Sequence, residues 1–254
     1  MKICDHVYAV LGLHHPIGVN AGFIITDDGV VVVDDGWTYC SALTILEYIK
    51  AVAGNKPIKY LIWTEHHSDH IFGSIVFVRE GAKVIAHRNA YVHLKEIGGI
   101  KGYVEFMKRK INEEYRALVE KGYDIGSIMF EGVEDVWPDI LIDSEYSLRL
   151  GDLEIKLIPT PGHTPSNIVV YLPRCKVLFA GDTIYSRYPP NTKFTTPKLI
   201  KEWIRALNHL YTLDISIIIP GHGPPCSKDE IKRNKLILEE IARGMLNHHL
   251  GFMT

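Results

Sequence analysis

Apolar and polar positions follow two rhythms along the chain. Residues 23–26 and 30–34 read as strands, separated by an Asp27-Asp28-Gly29 turn that marks a hairpin. Ala42, Ile45, Leu46, Ile49 and Val52 then recur at helical spacing, which predicts a helix over about 41–53. Pro57 stops it, and 59–64 reads as a buried strand that ends on a dense polar motif. A helix over 71–79 and a strand over 83–86 repeat the unit. From about 87 to 139 long helical stretches replace short strands. Val104, Met107, Ile111, Tyr115, Leu118 and Val119 trace one apolar stripe between 101 and 122. This helical insertion, about 88–139, is rich in aromatics (Tyr91, Tyr103, Phe106, Tyr123, Phe130, Trp137). It reads as a packed amphipathic helix; the sharper readings are a cover over a site or a homodimer contact.

Strands resume at 140–143, 146–150, 153–159, 168–172 and 176–180. After a loop holding Tyr185, Arg187, Tyr188, Pro189 and Pro190, a helix is predicted over 197–210 and a buried strand over 215–219. Ser227-Lys-Asp-Glu230 reads as a capping box opening a last helix to about 245, which leaves His248 and His249 in a solvated tail. Sheet and helix units thus occur on both sides of the insertion, and the pattern supports α/β layers.

Composition narrows the function classes. The 254 residues are 46% hydrophobic and 23% charged, enough for one large core, so a single domain over 1–254 is expected. A formal net charge of -2 supplies no positive field for a phosphate backbone, which argues against nucleic acid. No apolar run is long enough for a membrane helix and no leader-like segment opens the chain, so a cytoplasmic protein is expected. Cys4, Cys40, Cys175 and Cys226 lie far apart without a CxxC pair and read as reduced thiols. The chain has no glutamine, a depletion of thermolabile amides that suits a heat-adapted source.

The chemistry concentrates in four segments. Thr64-Glu65-His66-His67-Ser68-Asp69-His70 sets metal-capable side chains side by side where a buried strand ends. Desolvating so many imidazoles and carboxylates without a cation is costly. Thr160-Pro161-Gly162-His163-Thr164-Pro165, Gly181-Asp182-Thr183 and Pro220-Gly221-His222-Gly223 each follow an apolar strand and present one ligand beside glycine. His6, His14, His15, His87, His93 and His209 read as ordinary core or surface residues.

These motifs, in this order, resemble the metallo-β-lactamase superfamily, whose pattern is HxHxDH followed by a His, an Asp and a His. The likeness extends to Asn20-Ala-Gly-Phe-Ile-Ile-Thr and Val-Val-Asp34-Asp35-Gly36. The resemblance implies an αβ/βα four-layer sandwich. It also implies two divalent metal ions: Glu65, His67 and His163 on the first, Asp69, His70 and His222 on the second, and Asp182 bridging. A water between the ions would lose a proton and attack an electrophile, with Asp69 orienting it. His66 stands at the motif's variable position and is no ligand. Glu65 replaces the family's usual histidine. A third carboxylate makes the centre less positive, so zinc, the family's metal, competes with iron or manganese.

The resemblance implies a metal-dependent hydrolase of a small ester, thioester, lactone or amide-like substrate, similar to the SoxH-like and quinoprotein-relay-associated members. Tyr185, Tyr188 and Lys193, with Lys198, are candidates for the substrate pocket. The alternatives are an iron-dependent redox enzyme such as a persulfide dioxygenase, β-lactamase-type hydrolysis, and a metal-binding scaffold that lost activity through Glu65.

Overall fold

The computed structural model describes residues 1–14 and 18–250, with side chains to 244. One hydrogen-bonded path runs through the strands. Its first half holds β1 (Val7–Leu13), β2 (Val19–Ile25), β3 (Val30–Val33), β4 (Ile58–Ile62), β5 (Lys83–His87) and β6 (Ile140–Ile142). Its second half holds β7 (Tyr146–Leu150), β8 (Leu153–Pro159), β9 (Ile168–Leu172), β10 (Val177–Tyr185) and β11 (Ile217–His222). The halves join where β2 meets β11 at the Val19–His222 pair, so the order is β6-β5-β4-β3-β2-β11-β10-β9-β8-β7 with β1 beside β2.

Four layers follow from where the side chains go. In β3, Val30 and Val32 face one core with Ala42, Ile45 and Ile49, whereas Val31 and Val33 face another with Leu157, Val170 and Phe179. Alternate residues of a strand point to opposite faces, so four consecutive valines signal a strand covered on both sides. In β10 the same alternation sends Val177 and Phe179 to the inter-sheet core and Leu178 and Ala180 to a third core with Trp203 and Leu207. The outer layers are α1 (Tyr39–Ala53), with α2 (Ser68–Ile71) and α3 (Ile75–Arg79), on one side, and α8 (Pro197–Thr212) with α9 (Asp229–Leu250) on the other. Between β5 and β6 lie α4 (Arg88–Ile97), α5 (Gly99–Glu114), α6 (Arg116–Val119) and α7 (Ile125–Met129).

Several boundaries depart from the expectations. The helix predicted over 71–79 is two short helices. Gly73 sits so close to Asp35 and Ala42 that a Cβ there would overlap both, and its N–H donates to Asp35 Oδ1 at 2.6 Å rather than to the preceding turn. The stripe predicted through 122 breaks at Tyr115: Val104 and Ile111 are buried, but Tyr115 and Leu118 are exposed. β1 was absent from the pattern because its positions, buried or half-buried at Val7–Val10 and exposed at Leu11 and Gly12, do not alternate cleanly. The capping box does not form as written: Ser227 Oγ accepts from Asp229 N at 3.2 Å, and Glu230 pairs instead with Arg233 at 2.9 Å. α9 continues to Leu250, beyond the predicted end. His15 and the side chains of His248 and His249 lie outside the described residues. Among the described residues, no helix is long and apolar enough to cross a membrane.

Candidate metal centre

Strand ends gather the polar motifs at one pole of the sandwich. β4 runs into Glu65–His70, β8 into His163, β10 carries Asp182 and β11 ends on His222. Gly221 makes room: a Cβ on it would overlap Asp182 Oδ1. Gly181 takes φ +47 against the Thr64 side chain, a turn that L residues adopt rarely.

The structure brings the seven expected ligands together in three overlapping groups: Glu65, His67 and His163; Asp69, His70 and His222; and Glu65, His70 and Asp182. Within each group the ligand atoms lie within 4.8 Å of one another. Glu65 Oε2 is 2.9 Å from His67 Nδ1 and Glu65 Oε1 is 3.6 Å from His163 Nε2. Asp69 Oδ2 is 3.3 Å from His222 Nε2. Asp182 faces both sides, with Oδ1 3.4 Å from both His70 Nε2 and His222 Nε2 and Oδ2 3.5 Å from His163 Nε2.

Outer partners aim the rings. His163 Nδ1 donates to the Asn191 carbonyl at 2.7 Å and His70 Nδ1 to Asp34 Oδ2 at 2.8 Å, which leaves both Nε2 lone pairs turned inward. His66 points elsewhere: its Nδ1 meets Ser166 Oγ at 2.6 Å and its ring stacks on His93 at 3.9 Å. Burial, then the neighbouring His67, drives His66 well below the usual imidazole range, so it is neutral.

The electrostatics are those of carboxylates and imidazoles pressed together. Burial opposes ionisation of Asp69, but His70 and His222 bring it down to about 2. Burial likewise opposes charging of His222, yet Asp182 and Asp69 raise it to about 9. Glu65 Oε1 and Oε2, His70 Nε2 and Asp182 Oδ1 are buried without a hydrogen-bond partner. Such groups are costly unless something satisfies them.

A cavity of about 1110 Å³ opens onto the cluster, lined by His67, Asp69, His163, Asp182 and His222 at its base. Tyr185 and Tyr188 both line it, and the Tyr185 hydroxyl donates to Asp182 Oδ2. Lys193 does not line it; its ammonium sits 5.4 Å from the Phe194 ring, and Lys198 pairs with Glu202. The loop's neighbouring residues Asn191 and Phe194 take the wall position instead. The cations that do line the cavity are Arg109 and Lys110 of α5. They escaped sequence reading because alternating charges on a helix look like a solvated face. Asp34 and His93 escaped because their partners are distant in sequence.

Fold and centre together define a family. The chain belongs to the metallo-beta-lactamase superfamily, whose profile matches residues 15–222. It is similar to the linear primary-alkylsulfatase of Pseudomonas sp. (strain ATCC 19151), 24% identical over 222 residues, 80% of this chain and 41% of that one. The chain thus spans about two-fifths of that relative's length. It is also similar to the beta-lactamase-like protein 2 homolog of Caenorhabditis elegans, 25% identical over 95% of this chain and 70% of the relative. Among solved structures, the metallo-beta-lactamase from Pontibacter korlensis superposes with a TM-score of 0.71 at 20% identity, covering 94% of this chain and 97% of that one.

Proposed function

We propose that the cluster holds two divalent cations and that the protein hydrolyses a small ester, thioester, lactone or amide-like substrate with an apolar body. The observation that carries this is the set of buried, unpartnered donor atoms on Glu65, His70 and Asp182, which suit cations and little else. Glu65, His67 and His163 would hold one ion and Asp69, His70 and His222 the other. Asp182 lies between, one oxygen turned to each side. Ions bound there would acidify water and polarise the substrate oxygen.

The chain's own groups do the rest. Asp69 lines the cavity floor, and its carboxylate is placed to orient an attacking water. Burial, followed by the charges of Asp182 and Glu65, pushes the Tyr185 phenol well above its usual range. It stays protonated at neutral pH and keeps its donated bond to Asp182 Oδ2 at the base of the cavity. Ile97, Tyr103, Phe106 and Met107 from the insertion and Phe194 from the facing loop supply apolar walls. Phe106 and Phe194 remain 42% and 56% exposed, an apolar surface that a substrate would cover. Arg109 and Lys110 add positive charge to the α5 wall, which favours substrates whose non-reacting end is anionic.

Glu65 raises the oxygen content of the donor set, which favours iron or manganese beside zinc. The test is elemental analysis of wild type, Asp182→Ala and His70→Ala after expression in balanced metals, with hydrolysis of an ester and thioester panel. The expected result is two metal ions per chain in wild type and loss of metal and activity in both variants. Full metal content in both variants would overturn the reading.

A further inference from the structure

Cys4 and Cys175 stand 171 residues apart in sequence, yet their sulfurs lie 2.7 Å apart. That is longer than a disulfide bond, about 2.05 Å, and closer than two unbonded sulfurs settle. We propose that this pair is a site of disulfide formation, which cross-links the start of the chain to the turn between β9 and β10.

Both cysteines are held in place by backbone that owes nothing to the sulfurs. The segment before β1 folds back on that strand: Ile3 N and Cys4 N donate to Val7 O, at 2.8 and 3.3 Å, and the N-terminal amine donates to Ala9 O at 2.7 Å. On the other side, Lys176 N donates to Pro173 O at 3.2 Å, closing a turn with Lys176 at φ 55. Arg174 pairs with Asp152 and Lys176 Nζ with Asp214 Oδ2 at 2.6 Å, which pins the turn on both flanks of Cys175. Each cysteine is half-buried against the inter-sheet core. Bond formation therefore asks the sulfurs to close by less than an ångström. Cys40, exposed on α1, and Cys226, near the start of α9, are not part of the pair.

The oxidant is a small disulfide such as oxidised glutathione. Burial and the adjoining Cys4 sulfur push the Cys175 thiol up to about 12, so Cys4 opens the exchange. The Cys4 thiolate attacks one glutathione sulfur, forming a mixed disulfide and releasing one glutathione thiolate. The Cys175 sulfur then attacks Cys4 Sγ, giving its proton to solvent and releasing the second. The two protein thiols are oxidised, the disulfide reagent is reduced to two thiols, and no other electron acceptor is needed.

The position of the pair separates its effect from the metal centre. Cys175 precedes β10, while Asp182 stands seven residues further along that strand, roughly 20 Å away at the rise of an extended chain. The bond ties the first half of the sandwich to the second across a very long loop, the case in which a cross-link restricts the unfolded chain most. It acts on stability and leaves the metal ligands untouched.

The test equilibrates the metal-loaded wild type and Cys4→Ser with oxidised glutathione. Samples are then quenched in acid, and free thiols are alkylated in denaturant. Wild type is expected to lose two hydrogens, to keep two alkylatable thiols of four, and to yield a peptide pair joined through Cys4 and Cys175. Dithiothreitol is then expected to lower its Tm by on the order of ten degrees without changing metal content, and to leave the Tm of Cys4→Ser unmoved. Four alkylatable thiols, separate glutathione adducts on the two cysteines, or an equal dithiothreitol effect in Cys4→Ser would each overturn the proposal.

Discussion

His70 Nδ1 donates to Asp34 Oδ2 across 2.8 Å, although 36 residues separate the two in sequence. Asp34 also accepts from Thr64 N at 2.8 Å and from Thr64 Oγ1 at 2.7 Å, so one carboxylate fixes both a candidate ligand ring and the strand end that launches the motif. It does so from a left-handed backbone, φ 56, at the end of β3. Burial raises the Asp34 carboxyl, and the His70 and Thr64 bonds oppose that shift. Asparagine tolerates this backbone and keeps the side chain's shape while removing its charge. Asp34→Asn is expected to weaken metal binding roughly 10- to 100-fold with an unchanged circular-dichroism spectrum. Competition with a metal chelator measures it, and wild-type affinity in a folded variant would show that Asp34 does not support the ring.

Glu65 sets the balance of oxygen and nitrogen in the cluster. It is fully buried, its charge is opposed by desolvation and favoured by His67 and His163, and both of its oxygens lack a hydrogen-bond partner. Replacing it with histidine removes one anionic oxygen donor and adds an imidazole, which favours zinc over harder ions. Glu65→His is expected to raise the zinc fraction, and wild type to carry iron or manganese, when both are expressed in medium with equal supplies. Two zinc ions per chain in wild type would refute this.

The ligand motifs were legible because chemistry dictates their composition: imidazoles and carboxylates at strand ends, beside glycines such as Gly221 that admit the backbone. The layered α/β pattern was legible because Val30–Val33 and Val177–Ala180 are apolar without interruption. What the pattern hid was set by distance. Asp34 reads as the end of a strand until His70 arrives beside it, and His93 reads as an ordinary core or surface histidine until it stacks on His66. Arg109 and Lys110 look solvated in sequence and line the cavity only because α5 packs beside the motif, with Tyr103 against Phe72 at 5.2 Å. Lys193 lies near Asp182 along the chain, yet the loop points Phe194 and Asn191 at the cavity instead.

Arg109 and Lys110 carry the positive charge of the α5 wall. Neither has a carboxylate within ion-pair distance among the described residues, and Lys110 Nζ lies 4.5 Å from the Phe106 ring. Charges on an exposed wall act at a distance and are screened by salt. The double variant Arg109→Ala/Lys110→Ala is expected to raise KM about three- to tenfold for nitrophenyl monoesters of dicarboxylic acids. KM for neutral nitrophenyl esters of the same length, and kcat for both, should stay near wild type. The wild-type advantage for the anionic series should fade in half-molar salt. An equal loss on both series would assign these residues to packing.

A polar clip between α5 and α7 holds this wall. Asp124 caps α7 and accepts from Ser127 N at 3.0 Å, Ser127 Oγ at 2.7 Å and Asn112 Nδ2 at 2.9 Å; Asn112 Oδ1 in turn accepts from Gly126 N at 2.8 Å. Gly126 lies so close to the Lys108 backbone that a Cβ would overlap it, so α5 and α7 meet main chain to main chain. Just after α7, Phe130 packs on Trp37 and Phe72, each at 5.4 Å. The bonds from Asn112 and Ser127 bring the Asp124 carboxyl to about 2, below its ordinary 3.8. A lowered folded value stabilises the fold above the ordinary value, and that contribution is lost as pH falls through the folded one. Asp124→Ala should therefore melt about 2–4 °C below wild type at neutral pH, with the gap closing between pH 4 and pH 2. Because both proteins share the metal ligands, protonation of the centre cancels in the difference. Scanning fluorimetry across that range reads it, and a gap that persists undiminished at pH 2 would mean that the cap works through shape and not through charge.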